Sequence, residues 1–179
     1  MELKVAEVLI PEEKIAERVR AIGAEISAKY EGKSLIMIGI LRGAAIFMCD
    51  LARCVAPSVD VTLEFMRASS YGSSAVSSGK VTINQTPTLP VKDRHVIIVE
   101  DIVDTGLTLR RLCDYFSEQG ALSVEVCVLL DKRERRVVEV PVAYSGFVIP
   151  DQFVVGYGMD FDERWRNLPS IHVVHEVSE

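Results

Sequence analysis

Hydrophobic residues follow a helical period in three segments of the chain. Across residues 11–29 they recur at steps of three or four, which places their side chains on one face of an α-helix. The apolar positions of this segment are Ile15, Val19, Ile22 and Ile26. The same period predicts a helix over residues 43–55 with Ile46, Phe47 and Leu51 inward, and one over residues 107–119 with Leu109, Leu112 and Phe116 inward.

Short apolar runs between and after these segments predict β-strands. Strands are expected at residues 35–41, 59–66, 81–85, 95–101, 124–130, 144–149, 153–157 and 171–177. Because strands that alternate with helices at this spacing are typical of βαβ units, the sequence predicts an α/β fold with a central parallel sheet flanked by helices. About the last thirty residues are rich in strand patterns and predict a small lobe against that sheet.

Composition limits the function. The chain has 179 residues, of which 49% are hydrophobic, and this length fits one domain with an aliphatic core. The formal net charge of -6 argues against a surface that coats nucleic acid. We expect a cytoplasmic protein, because there is neither a signal-peptide pattern nor an apolar run of about 18 residues, and because the four cysteines form no Cys-x-x-Cys pair.

The most informative chemical pattern occupies residues 96–109, which read VIIVEDIVDTGLTL. A predicted buried strand ends at two adjacent acids, Glu100 and Asp101, and a turn containing Asp104 leads into the next helix. Open α/β sheets bind ligands at the carboxyl ends of their strands, and a helix N-terminus favours phosphate. Since carboxylates suit hydroxyl groups or metal ions, a sugar phosphate that carries a metal ion satisfies the whole pattern. An acidic surface loop at a strand end is the alternative that the spacing alone leaves open.

This pattern resembles the phosphoribosyl pyrophosphate (PRPP) loop of type I phosphoribosyltransferases. The resemblance implies that Glu100 and Asp101 hold the ribose hydroxyls and help to place Mg2+, and that Asp104 is the general base for the proton on purine N7. It also implies a 5′-phosphate site formed by Asp104, Thr105, Gly106, Leu107 and Thr108. Leu107 stands where some relatives carry lysine, so one side-chain contact to the phosphate is absent.

A second motif, Ile-Leu-Arg-Gly-Ala at residues 40–44, leaves a predicted strand and opens a predicted helix. Small residues there allow backbone N–H groups to approach an anion, although an ordinary strand-to-helix turn has the same pattern. The motif resembles the turn that binds pyrophosphate in hypoxanthine-guanine phosphoribosyltransferases, often through a cis peptide bond. The resemblance gives this role to Arg42 and Gly43.

Two further motifs resemble the purine site of the same enzymes. Lys132 follows a predicted strand, where lysine is usually solvated, and the resemblance implies that it reaches the 6-oxo group of the base. An ammonium group only donates hydrogen bonds, so it suits an oxo group and clashes with the amino group of adenine. In residues 149–166, the resemblance implies that Phe153 stacks on the purine, for which a core position is the alternative, and that the Val154 backbone meets the purine edge. It further implies that Asp160 helps to hold a second metal ion and that Arg166 meets pyrophosphate.

Residues 67–79 contain six serines and two glycines, a composition that predicts a surface loop. The resemblance adds a role as a lid over about residues 67–80, with Ser70 and Tyr71 closing over the pyrophosphate and excluding water. It also implies that the N-terminal segment and about residues 145–179 form a hood, within a single domain that spans residues 1–179.

Together the motifs resemble a purine-salvage enzyme with the type I phosphoribosyltransferase fold. The reaction implied joins PRPP to N9 of hypoxanthine, and of guanine, with Mg2+ as cofactor and pyrophosphate as product. The expected partners are these small molecules and further copies of the chain in a homodimer or homotetramer, without nucleic acid or membrane. A preference for xanthine stays open, as does a PRPP-sensing regulator that binds nucleic acid. The three histidines lack the spacing of a typical zinc site, so we predict no histidine metal site.

Overall fold

The computed structural model describes residues 2–70 and 81–177. In chain order its helices and strands are β1 (Glu2–Ile10), α1 (Glu12–Tyr30), β2 (Ser34–Ile40), α2 (Ala45–Cys54), β3 (Asp60–Ser70), β4 (Val81–Gln85), β5 (His95–Val103), α3 (Leu107–Glu118), β6 (Ser123–Asp131), β7 (Val142–Val148), β8 (Val154–Val155) and β9 (Ile171–Val177). A short 3-10 helix lies at Arg133–Arg135. The larger sheet has the order β4-β3-β2-β5-β6-β7, in which β4 lies antiparallel to β3 and the other five strands are parallel.

Helices cover both faces of this sheet because its inner strands are apolar on both sides. The helices α1 and α2 pack on the face that contains Met37 and Val99, and α3 packs on the face that contains Ile38 and Ile98. The predicted inward orientation of Ile46 is wrong, because this side chain is 38% exposed. It lies in the first turn of α2 beside Gly158, which has no side chain to cover it. In the part of the chain that the structure describes, none of the helices has the length and apolar composition of a membrane span.

A second, three-stranded sheet joins the two ends of the described chain. Its order is β1-β9-β8, with antiparallel pairing throughout. The range expected for the hood begins at about residue 145, within β7. This strand pairs with β6 in the larger sheet and is not part of the second sheet. The second sheet therefore takes its C-terminal strands from residue 154 onward.

The register of the central strands determines where the loops emerge. Gly39 of β2 lies opposite Val99 of β5, and Val99 lies opposite Cys127 of β6. Since these strands are parallel, the segments that follow them leave the sheet at one common edge. The acid-rich turn, the Arg42 turn and Lys132 are thus carried to the same side of the molecule.

Candidate active site

Side chains from several segments of the sequence surround one cavity at the carboxyl edge of the larger sheet. The cavity has a volume of about 290 Å3. It is lined by Asp101, Ile102, Asp104, Lys132, Phe153, Val154, Met159 and Asp160. All but Ile102 and Met159 are candidates from the sequence motifs, so the fold brings together residues that are far apart in the chain.

The acids Glu100 and Asp101 lie side by side within β5. The strand continues beyond its predicted end and stays in register with β6 as far as Val103. The alternation of faces is interrupted at the acids, since Val99 and Ile102 both pack with the α1–α2 side of the sheet. The Asp101 N–H donates to Glu100 Oε1 over 3.2 Å, and the Ile102 N–H donates to Asp101 Oδ1 over 2.7 Å. Both carboxyl groups are therefore held in one place by the backbone.

Both acids resist ionisation. Burial raises the pKa of Glu100 well above its ordinary value, and the charge of Asp101 raises it further. Burial also raises the pKa of Asp101, although hydrogen bonds and the positive charge of Arg166 oppose this shift. Both carboxyl groups therefore favour the protonated form, and a cation placed beside them would lower their pKa values again. The pair is consequently suited to bind positive charge.

Replacing Glu100 with glutamine is expected to stabilise the ligand-free protein. The folded chain keeps a proton on Glu100 at pH values where the unfolded chain has lost it, so the unfolding free energy falls as the pH rises above 4.5 through the raised pKa. Glutamine removes this fall, and we expect the Tm near neutral pH to rise by about 3 °C, which corresponds to roughly 1 kcal/mol in a chain of this size. Thermal unfolding at several pH values tests this, with Glu118→Gln on α3 as the control. A Tm difference that does not grow with pH would contradict it.

Gly43 fits beside Asp101 because it has no side chain. A Cβ atom at Gly43 would overlap Asp101 Oδ2, and one at Gly158 would collide with the Gly43 carbonyl oxygen. The peptide bond between Leu41 and Arg42 is cis, as the resemblance implies. The turn of the second motif thus lies directly against the acid pair, and an anion on its backbone would lie beside Asp101.

The segment after β5 opens α3 through a left-handed glycine. Gly106 has a φ of 85°, a conformation that glycine adopts without strain, and a Cβ atom there would crowd Arg136 and Val140. The first N–H groups of any α-helix have no helical partners. At the start of α3 such donors include Leu107 and Thr108, so this helix end is suited to a phosphate group.

Lys132 and Phe153 both line the cavity but differ in exposure. The Lys132 side chain is 12% exposed, and its Nζ lies 3.3 Å from Asp151 Oδ1. Phe153 is 57% exposed, which excludes the core position that the sequence left open, and its ring meets Phe161 edge-on at a centroid distance of 5.3 Å. Val154 is buried in β8. An exposed aromatic ring near a shielded ammonium group can receive a planar ligand with a polar edge.

Arg135 makes two ion pairs that the motifs did not predict. Its Nε lies 2.6 Å from Asp104 Oδ1, and its Nη1 lies 3.1 Å from Asp151 Oδ2. Because Asp151 also contacts Lys132, Arg135 and Asp151 connect the candidate general base Asp104 with the candidate purine lysine. Hydrogen bonds from Arg135, and then from Lys132, hold the pKa of Asp151 below its ordinary value. The sequence suggested no role for Arg135, and its place shortly after a strand end was the one available signal.

Arg166 and Glu163 connect the loop after β8 with the Arg42 turn. Arg166 Nη2 lies 2.7 Å from Asp160 Oδ1, and Nη1 donates to the Gly158 carbonyl over 2.8 Å. Glu163 pairs with Arg166 and also with Arg42. Both arginines that the resemblance assigns to pyrophosphate thus share one acidic partner, a residue for which the sequence suggested no role. A more highly charged anion would compete with Glu163 for both guanidinium groups.

Known proteins are similar to this chain over almost its whole length. The family model for the phosphoribosyl transferase domain matches residues 8–162. The chain is 44% identical over 176 residues to the hypoxanthine-guanine phosphoribosyltransferase of Streptococcus pneumoniae, a match that covers 98% of this chain and 97% of that protein. It is 42% identical over 174 residues to the enzyme of that name from Bacillus subtilis, which covers 97% and 96%. The chain belongs to the phosphoribosyltransferase family.

Solved structures agree with this assignment. A hypoxanthine-guanine phosphoribosyltransferase from Bacillus anthracis, crystallised with a HEPES molecule in its active site, matches with a TM-score of 0.91 and 39% identity. The match covers 98% of this chain and 100% of that one. The predicted type I phosphoribosyltransferase fold is confirmed.

The carboxylates at the carboxyl edge fit a divalent cation that is held jointly with phosphate groups. Among the residues that the structure describes, no three His, Cys, Asp or Glu side chains are gathered as an all-protein metal site requires. Mg2+, however, is usually bound through one or two carboxylates together with substrate phosphates and water. Glu100 and Asp101 lie side by side in β5, and Asp101 and Asp160 line the same cavity. These three carboxylates are the ones that fit Mg2+.

The two lid candidates are only partly within the described range. Tyr71 lies outside the described residues, and for Ser70 the structure gives its place at the end of β3. The lid over the pyrophosphate therefore stays a prediction.

Proposed function

We propose that this chain catalyses a step of purine salvage, the transfer of the phosphoribosyl group of PRPP to N9 of hypoxanthine or guanine. The products are IMP or GMP and pyrophosphate. The observation that carries the proposal is the shared cavity, where Asp101 of the acid pair lies with Lys132 and Phe153. A substrate pair that joins a sugar phosphate to a planar oxo-base uses both halves of this cavity. Relatives named for hypoxanthine and guanine support it.

PRPP is assigned to three parts of the carboxyl edge. Glu100 and Asp101 bind the ribose hydroxyls, and the turn at residues 42–43 binds pyrophosphate together with Arg166. Guanidinium groups suit pyrophosphate because they make paired, charge-assisted hydrogen bonds. Mg2+, held by these two acids and Asp160, would supply charge neutralisation for the leaving pyrophosphate. The 5′-phosphate lies at the start of α3, on Asp104, Thr105, Gly106, Leu107 and Thr108.

The chemical step exchanges one bond at C1′ for another. The bond between C1′ and the pyrophosphate oxygen breaks, pyrophosphate leaves with the electron pair, and C1′ bonds to N9 of the base. Asp104 accepts the proton that N7 loses, after exchanging its contact with Arg135 for one with the purine. Lys132 donates a hydrogen bond to O6 as negative charge grows there, and its contact with Asp151 orients it beforehand.

Incubation with PRPP, Mg2+ and each of four purine bases, followed by ultraviolet absorbance, tests the proposal. We expect nucleotide from hypoxanthine and guanine, equimolar pyrophosphate, and discrimination against adenine on the order of 10⁴, because a buried donor without an acceptor rejects the wrong base. Faster turnover of xanthine would favour the xanthine alternative. No product from any base, with retention on heparin at physiological salt, would favour the nucleic-acid-binding regulator.

Phe153→Ala is expected to raise the KM for hypoxanthine about 10- to 100-fold and to change the KM for PRPP much less. Stacking of a base on an aromatic ring contributes about 1–3 kcal/mol, and each 1.4 kcal/mol is a tenfold change in affinity. Steady-state kinetics measure both constants. Leu122→Ala, which removes a 61% exposed side chain before β6, is the control. If the two variants had the same KM for hypoxanthine, Phe153 would have no stacking role.

The proposal also includes the domain organisation, the location and the oligomeric state of the protein. We assign residues 1–179 to one domain, with a hood built on the sheet of β1, β9 and β8 and a lid over about residues 67–80. The pairing of β1 with β9 supports the hood. Location in the cytoplasm and assembly into a homodimer or homotetramer also stay proposals, and light scattering after size-exclusion chromatography would count the copies.

A further inference from the structure

Three consecutive residues after β8 have left-handed backbone conformations. Their φ angles are 101° at Gly156, 49° at Tyr157 and 101° at Gly158. Glycine adopts such angles freely, but a bulky aromatic residue rarely does, so contacts elsewhere in the fold must hold Tyr157 in place. These residues lead directly to Asp160, which lines the cavity.

The side chain of Tyr157 provides such a contact. Its hydroxyl donates a hydrogen bond to Asp50 Oδ2 over 2.7 Å. Tyr157 is 7% exposed, and burial together with the bond to Asp50 raises the pKa of the phenol, so the hydroxyl keeps its proton and stays a donor. Asp50 lies in α2, the helix that follows the Arg42–Gly43 turn. The bond therefore joins the loop after β8 to the helix behind the pyrophosphate turn.

The backbone beside Tyr157 brings the same two segments into contact at the site. Gly158 packs on the Gly43 carbonyl so closely that no Cβ atom fits between them. The Gly158 N–H donates to the Arg166 carbonyl over 2.9 Å, and the Gly158 carbonyl accepts from the Arg166 side chain over 2.8 Å. The position of Gly158 thus fixes Arg166 relative to Gly43.

We propose that Tyr157 and Asp50 are positioning residues for the pyrophosphate end of PRPP, an inference that rests on the proposed function. Neither residue lines the cavity, so both act through their neighbours. The hydroxyl bond holds the left-handed segment, and that segment holds Asp160 and Arg166 against the Gly43 turn before the substrate arrives. Preorganisation of this kind increases affinity, because less ordering remains to be done on binding.

Three substitutions test the hydrogen bond between Tyr157 and Asp50 without removing either backbone segment. Tyr157→Phe removes the donor, Asp50→Ala removes the acceptor, and Asp50→Asn keeps an acceptor oxygen. Titration calorimetry with PRPP and Mg2+, without purine, measures affinity, and steady-state kinetics measure kcat. We expect the first two variants to bind PRPP about tenfold more weakly with kcat within about twofold of the wild type. The Asp50→Asn variant is expected to stay within about threefold of the wild-type affinity.

Tyr30→Phe is the matched control for a purely structural effect. The Tyr30 hydroxyl also donates to a partly buried carboxylate, Glu125 Oε2, over 2.9 Å, but it lies at the opposite end of the sheet. This variant should lose thermal stability as Tyr157→Phe does and keep its affinity for PRPP.

Two results would overturn the inference. One is a PRPP affinity of Tyr157→Phe no weaker than that of Tyr30→Phe, and the other is an Asp50→Asn variant as weak as Asp50→Ala. A wild-type protein that neither binds PRPP nor makes nucleotide would overturn the proposed function, and this inference with it. The behaviour of the wild type therefore distinguishes the two failures.

Discussion

In the Asp104→Ala variant, kcat is expected to fall about 10²- to 10⁴-fold, the usual contribution of general acid–base catalysis. The affinity for PRPP should change far less, because the backbone N–H groups at the start of α3 remain. Asp104 lines the same cavity as Lys132, which places its carboxylate beside the proposed purine position. Steady-state kinetics with hypoxanthine, together with a PRPP binding isotherm, would separate the two effects.

Two further variants test whether this loss belongs to the carboxylate itself. Asp114→Asn removes an acid of α3 that pairs with Arg110 over 3.2 Å, and it should leave kcat unchanged. Arg135→Ala removes the ion-pair partner of Asp104 but keeps the proton acceptor, so kcat should stay within about tenfold of the wild type. An Asp104→Ala enzyme with normal kcat would remove this residue from the mechanism.

The second large effect is expected for Gly43→Ala, with a loss of about 10²-fold or more in kcat/KM for PRPP. The added methyl group would overlap Asp101 Oδ2. Because a carboxylate can rotate away whereas the packed turn cannot, the fold should survive while Asp101 leaves its place. Displacement of a reacting or binding group by about 1 Å can lower a rate by that factor.

Gly32→Ala serves as the control, because it should lower stability and leave activity unchanged. Gly32 has a φ of 69°, and a methyl group there would meet nothing within 4 Å. Alanine should strain this turn and lower the Tm without reaching the site, whereas Gly43→Ala should lose activity with a smaller change in Tm. Thermal unfolding and kinetics of both variants test this contrast. Full activity in Gly43→Ala would show that the site tolerates a displaced Asp101.

Local periodicity predicts most of this fold because each element buries its own apolar face. The helix α1 covers Glu12–Tyr30, against a prediction of residues 11–29. The strand β3 runs on to Ser70 because it pairs with β4, a distant contact that its apolar residues do not encode. Ile46 satisfies the helical period but stays exposed, because periodicity does not indicate whether a neighbouring element covers a side chain.

Motifs at strand ends predict much of the candidate site for a related reason. Parallel strands carry their carboxyl ends to one edge, so the acids at the end of β5 and the lysine after β6 must lie close together. The charged contacts are different, because they depend on how separate loops meet. The pairing of Arg135 with Asp104 and that of Glu163 with Arg42 have no sequence period. Tyr157 received no role, since Asp50 lies 107 residues away in the chain.

Because the pKa values of Glu100 and Asp101 are raised, binding of the substrate with its cation should be coupled to the release of protons. A cation that enters the site must displace whatever proton the pair retains, and that proton passes to the solvent. Uptake of PRPP with Mg2+ should therefore acidify a weakly buffered solution, and its calorimetric heat should vary with the ionisation enthalpy of the buffer.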